Sequence, residues 1–448
     1  MEPPASMSPA PQSPAPLSAA PAVGSLEDLA ALAARSLDGG TRAHRQGDAD
    51  GALTALRRSH DMARLLADRA PGRTDALRLQ ADALCRLADV QLERGLAEEA
   101  RTGLDAAEAL YSRLGADPTC IADVRARRGV ANSYLGRGLS ALVDVQSAVL
   151  THVQTLDAET PDDSQAGLAA ALAAAAVVQA RHGSSQLALA AAQQAAALLS
   201  RLHAERGSSF GDGAGNGAAK GPGEGRHRSV GVPVRTDLVR ALQVEIRTLR
   251  ALDRSAEIDA PSAALAAVAG PDAARAVVAE PAETPRLGLT YAVMHELVAP
   301  QTRAAVHEML ADPLDGVSIP GFLVAPDRLL DVAREGAATA LALASYDPRL
   351  ALAAGRDAAC LYACAEELGL IEHPWPQVRM ELARWLWLLS ELGWLAATTG
   401  DVVLARDLAD HAQHPLVRAE SGRHLPATIA RSLADSGSRL RQLRRAVG

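Results

Sequence analysis

Aromatic residues make up only 2% of the 448 positions, and the chain holds just six isoleucines. A large β-sheet draws on those side chains for its packed faces, so their scarcity excludes one. Lysine is nearly absent: Lys220 stands alone against 44 arginines, a skew that marks a GC-rich genome rather than a function. Four cysteines without framework spacing exclude a disulfide scaffold and fit a reducing compartment. The longest apolar run, Leu168 to Val178, falls short of the ~20 residues a membrane span needs. Residues 1 to 24 lack the basic-then-apolar form of a secretory leader, so a cytoplasmic protein is expected. A formal net charge of −8 supplies no positive field for phosphate backbones. Neither nucleic acid nor a membrane is therefore an expected partner.

What the chain has in excess is alanine, 97 residues of it, the best helix former. Apolar residues at 48% and charged residues at 22% support a packed core, and the length allows about three domains or one long repeat array. An all-α protein is expected.

Composition shifts divide the chain. Residues 1–24 carry seven prolines and no periodicity, which reads as a disordered tail. Residues 205–232 hold nine glycines among small polar residues and read as a flexible insert. No glycine there precedes a Lys-Ser or Lys-Thr pair and no GxGxxG fits, so a phosphate loop is excluded. Residues 233–324 read as helical, interrupted by Pro261, Pro271, Pro281 and Pro285, either degenerate repeats or linker. That leaves helical arrays at 25–204 and 325–448. The second ends in an amphipathic capping helix that sets Ile429, Leu433, Leu440 and Leu443 against Arg431, Arg439, Arg441, Arg444 and Arg445, with a break expected at Gly437.

The arrays are periodic. Leu84, Leu87, Ala88, Gly95, Ala100, Leu104 and Ala107 put small or apolar residues at helical spacing on both sides of a glycine. That pattern specifies a helix, a tight turn and an antiparallel helix, with Ala88 and Ala100 permitting close approach. It recurs around Gly47, Gly138 and Gly183, so the turn glycines lie 48, 43 and 45 residues apart, and again around Gly400 with Gly393, Ala396, Ala405 and Ala409. Tyr346-Asp347-Pro348 takes the place of the turn glycine in the unit before. These residues resemble the tetratricopeptide repeat, in the long-period variant of kinesin light chains and many actinobacterial repeat proteins. The resemblance implies a solenoid of antiparallel helix pairs, in one stack or two, acting as a scaffold or regulatory module.

Chemistry is sparse by comparison. His295-Glu296 and His307-Glu308 lie twelve residues apart, a rotation of about 120°, and no HExxH is present. His411 and His414 share a helical face near Asp410 and His424, as a surface metal site would need, but Pro415 ends that helix. Cys360 and Cys364 share a face and read as buried thiols. No nucleophile motif can be assembled, so neither an enzyme, a metal nor a cofactor is expected. Helix rotation, counted from Gly138, turns Val130 and Ala131 to the partner helix and Arg125, Arg128, Asn132 and Leu135 to the groove. A basic residue four before an asparagine resembles the carboxylate-holding pattern of chaperone-binding repeats, so Arg128 and Asn132 are candidate partner-binding residues. So are Trp387 and Trp394, seven apart on a line about 160° from the packing residue Leu389. They are either covered by a neighbouring helix or anchors in the groove. The sequence thus reads as a non-enzymatic module for a protein or peptide partner. The alternative is a small-molecule sensor or enzyme with a pocket in the C-terminal helices.

Overall fold

The computed structural model describes residues 25–155, 161–183, 185–209, 234–282, 329–345, 347–367, 371, 376–413, 415 and 427–447. Those residues form sixteen α-helices and one 3-10 turn, with no strand among them. The first eight are α1 (Leu26–Arg45), α2 (Ala49–Arg69), α3 (Thr74–Glu93), α4 (Ala97–Arg113), α5 (Pro118–Tyr134), α6 (Gly138–Gln154), α7 (Pro161–His182) and α8 (Ser185–Ser209). Then come α9 (Val234–Ala251) and the short α10 (Asp259–Ala269) and α11 (Pro271–Ala279). The C-terminal helices are α12 (Leu329–Leu343), α13 (Pro348–Glu367), α14 (Pro376–Thr398), α15 (Val402–His411) and α16 (Ala427–Val447).

Local chemistry sets the starts of these helices. Ser25, Asp48 and Asp401 accept from the amide three residues on, at 3.1, 2.9 and 3.0 Å, and Asp117 accepts from Thr119 at 2.9 Å. Pro118, Pro271 and Pro348 open helices, where a missing N–H costs nothing. Asp347 accepts the Arg349 N–H at 3.1 Å at the start of a helix, and Tyr346, the first residue of the expected turn substitute, lies outside the described residues.

A single turn recurs. Gly47, Gly95, Gly136 and Gly400 are left-handed, with φ of 81°, 74°, 77° and 85°, and the next N–H reaches back five residues in each turn. Leu96 N–H donates to Gln91 O at 2.8 Å, and Arg137 N–H to Asn132 O at 2.9 Å. The turn glycine of the third pair is thus Gly136, not Gly138. Gly138 is the first residue of α6, and a Cβ there would come within 3.1 Å of His182 Nδ1. The same turn follows α9 without a glycine: Asp253 has φ of 57°, and Arg254 N–H donates to Leu249 O at 2.8 Å. Aspartate tolerates that conformation better than most side chains. Residues 234–282 looked unlike the arrays because Asp253 hides the turn, and residues 283–324 lie outside the described residues.

Helices pack as adjacent pairs, α1 with α2, α3 with α4, α5 with α6 and α7 with α8. Each second helix also packs on the first helix of the next pair, and α9 receives α8 in this way. Alanine makes the approach close: in α7, Ala169, Ala171 and Ala173 to Ala176 are all buried. The C-terminal helices lean on α6, through α13 and α15. Cys360 of α13 donates to Gln146 of α6 at 2.9 Å inside this contact. The capping helix α16 runs unbroken through Gly437, burying Leu433, Leu440 and Leu443 against α14 and α15, with Arg431, Arg439, Arg441, Arg444 and Arg445 exposed. α8 extends to Ser209, past the expected start of the insert. The tail and most of the insert lie outside the described residues. No helix among the described residues is long and apolar enough to cross a membrane.

Candidate functional site

Counting back from each turn residue identifies one face on the first helices. Two and six residues before the turn lie Glu93 and Asp89 on α3, Tyr134 and Val130 on α5, Arg181 and Val177 on α7, and Ala251 and Arg247 on α9. All but Asp89 line a cleft of about 560 Å³, and Asp89 lines a small cavity of about 30 Å³ that shares Glu93 and Arg240 with it. The larger volume lies within the range of ligand sites, ~300 to 1,000 Å³.

The small cavity beside the cleft is ionic. Arg127 Nε donates to Asp89 Oδ1 at 3.0 Å, and Arg240 donates to the buried Asp237 at 3.0 Å. Burial raises the Asp237 pKa despite Arg240 and Arg127. Burial also opposes ionisation of Asp89, but the charges of Arg127, Arg86 and Arg240 outweigh it and hold that carboxyl low. His44 of α1 pairs with Glu93 at 2.8 Å, and this hydrogen bond raises the imidazole pKa. Groups of both signs are thus held on α1, α3, α5 and α9, a costly arrangement unless each charge is matched.

The mouth is different. Tyr134 is 49% exposed, and the Arg181 guanidinium carbon sits 4.5 Å from its ring centroid. Also lining the cleft, Arg247 of α9 makes a two-pronged contact with Glu280, which follows α11: Nε donates to Oε2 at 2.6 Å and Nη2 to Oε1 at 2.9 Å. These hydrogen bonds hold the Glu280 carboxyl below its usual pKa.

Arg128 and Asn132 do not face this cleft. Asn132 is buried and donates to Asp144 Oδ2 of α6 at 2.9 Å. Arg128 donates to the same carboxylate, at 2.5 Å from Nη2, and to Glu108 of α4. The pair does hold a carboxylate, and it belongs to the chain's own second helix. Arg125 likewise pairs with Glu108, at 2.8 Å. The cleft is lined instead by Tyr134 and by Val130, which the sequence count had turned to the partner helix.

Trp385 is 2% exposed and stacks on Tyr362, ring centroids 6.3 Å apart. Trp387 is 45% exposed, while Trp394 is half-buried against the core. Neither description fits both residues: one is an open side chain and the other is partly covered. Counted from Gly400, they hold the positions that Asp82 and Asp89 hold relative to Gly95.

Cys360 and Cys364 are buried, and none of the four cysteines forms a disulfide. No group of three or more possible metal ligands occurs among the described residues. His411 instead meets Ser140 Oγ at 3.0 Å. His295, His307, His414 and His424 lie outside the described residues. No protein-family model matches the chain, and no curated protein matches it either.

Proposed function

We propose that the protein is a non-enzymatic interaction module, a tetratricopeptide-like solenoid of antiparallel helix pairs, that holds an extended segment of a partner protein. The observation that carries this reading is the cleft: four successive first helices contribute residues at equivalent distances from their turns to one hollow of about 560 Å³. Repeats that stack first helices side by side make such a concave face, which suits an extended chain. Tyr134, with Arg181 over one side of its ring, supplies the aromatic anchor such surfaces use. Trp387, at the corresponding face of α14, offers a second contact in the C-terminal helices. Four cysteines outside any disulfide suit the reducing cytoplasm expected for such a module.

The test fills the hollow. Gln243 is half-buried and lines the cleft, so Gln243→Trp should occupy it without entering the core. Affinity capture with the wild-type chain and this variant, both confirmed folded by circular dichroism, should differ in a defined partner. If both capture the same proteins, the cleft is not the binding surface.

A further inference from the structure

Glu280 is a carboxylate placed in the cleft by a different part of the chain from the helices that build it. It arrives at the end of α11, 33 residues beyond Arg247, and takes both Nε and Nη2 of that guanidinium. The two side chains remain about 40% exposed, at 40% for Arg247 and 42% for Glu280. An ion pair so open to water contributes at most ~1 kcal/mol, so another carboxylate can replace Glu280 at little cost. The cleft wall also favours an incoming anion. Arg181, Arg240 and Arg247 line it with Glu93 and Glu280, three guanidiniums to two carboxylates, with Glu93 engaged by His44 and Arg240 by Asp237.

We propose that the cleft selects partner segments that carry a carboxylate side chain, which Arg247 binds in place of Glu280. The inference rests on the groove reading above and adds the chemistry of the occupant. Glu280 is then an internal competitor: it keeps Arg247 satisfied while the cleft is empty and sets a threshold that a neutral segment does not cross. The planar fork of arginine matches a carboxylate with two parallel bonds, which favours an acidic residue over an amide.

Three mixed-sequence nonapeptide libraries, with Glu, Gln or Lys fixed at the centre, provide the probe. Each is presented to the full chain at low ionic strength. In Glu280→Gln, where no internal carboxylate competes, the Glu library should be retained roughly fivefold better than the Gln library, the ratio that one exposed ion pair supports. In the wild type, where one pair is exchanged for another, the advantage should be smaller, and Arg247→Gln should remove it. Arg247→Lys keeps the charge and should keep part of it. Circular dichroism and a melting curve establish that each variant is folded. Retention that depends on Tyr134 but is equal for the three libraries, or favours Lys, overturns the acidic preference and leaves the groove reading standing. No retention of any library overturns both.

Discussion

Asp407 of α15 caps the start of α6 by holding Ser140. Its carboxylate accepts the Ser140 hydroxyl and, at 3.2 Å, the Ser140 N–H, together with the Leu139 N–H at 2.7 Å. The residue before α6, Arg137, makes no side-chain cap of its own. An unpaired helix start is thereby closed by a residue 267 positions away, and the negative charge sits where the helix dipole favours it.

That arrangement makes Asp407 a structural tie between the C-terminal helices and α6. Asp407→Ala should destabilise the protein by about 2 kcal/mol, the upper end for a lost cap, because the carboxylate is buried and its donors would be stranded. Hydrogen exchange should accelerate at the Leu139 and Ser140 amides. An unchanged denaturation midpoint with unchanged exchange would show that the tie contributes nothing.

Much of this fold could be read from the sequence. Alanine excess gave helix, and Gly47, Gly95 and Gly400 gave their turns at the right residues. The face of α5 was misread because Gly138 was taken for Gly136. Two residues along a helix rotate the assignment by about 200°, which exchanges the groove face for the packing face. The clue lay in charge: Glu108 and Asp144, on the helices that α5 packs against, are the partners a buried Arg128 requires. Asp253 hid α9 from the pattern, since glycine was the marker sought. Glu280 and Asp407 were not legible at all, because their partners are set by tertiary placement.

Arg128 provides a test of that corrected face. It is largely buried among Asp105, Glu108 and Asp144. Arg128→Ala would leave those carboxylates short of a cation, with an expected loss of about 3 kcal/mol in urea denaturation. The folded fraction should bind partner as the wild type does. A stable variant that has lost its partner would return Arg128 to the groove.

The tryptophans should separate cleanly. Trp385→Ala removes a fully packed ring from the Tyr362 stack and should cost about 3 to 5 kcal/mol. Trp387→Ala should change stability by no more than about 0.5 kcal/mol, since the ring is half in solvent. Trp394→Ala should fall between them. Melting temperatures of the three single variants decide the order, and a large loss for Trp387→Ala would mean that another part of the chain covers it.

The His44 and Glu93 pair predicts how stability responds to pH. Glu93 raises the imidazole pKa above its ordinary value of 6.5 by hydrogen bonding, with the charge of Asp89 acting in the same direction and burial and Arg86 opposing it. A group whose folded pKa is raised binds its proton more tightly in the native state. Its contribution is therefore complete below about pH 6.5 and disappears as pH rises through the folded value. Glu93→Gln removes the charge that sustains the shift. The stability difference between wild type and this variant should be larger at pH 5.5 than at pH 8.5, measured by urea denaturation at the two values. Nuclear magnetic resonance titration should also show the His44 pKa falling in the variant. An equal difference at both pH values, or a larger one at pH 8.5, would mean that the imidazole is not held protonated by Glu93.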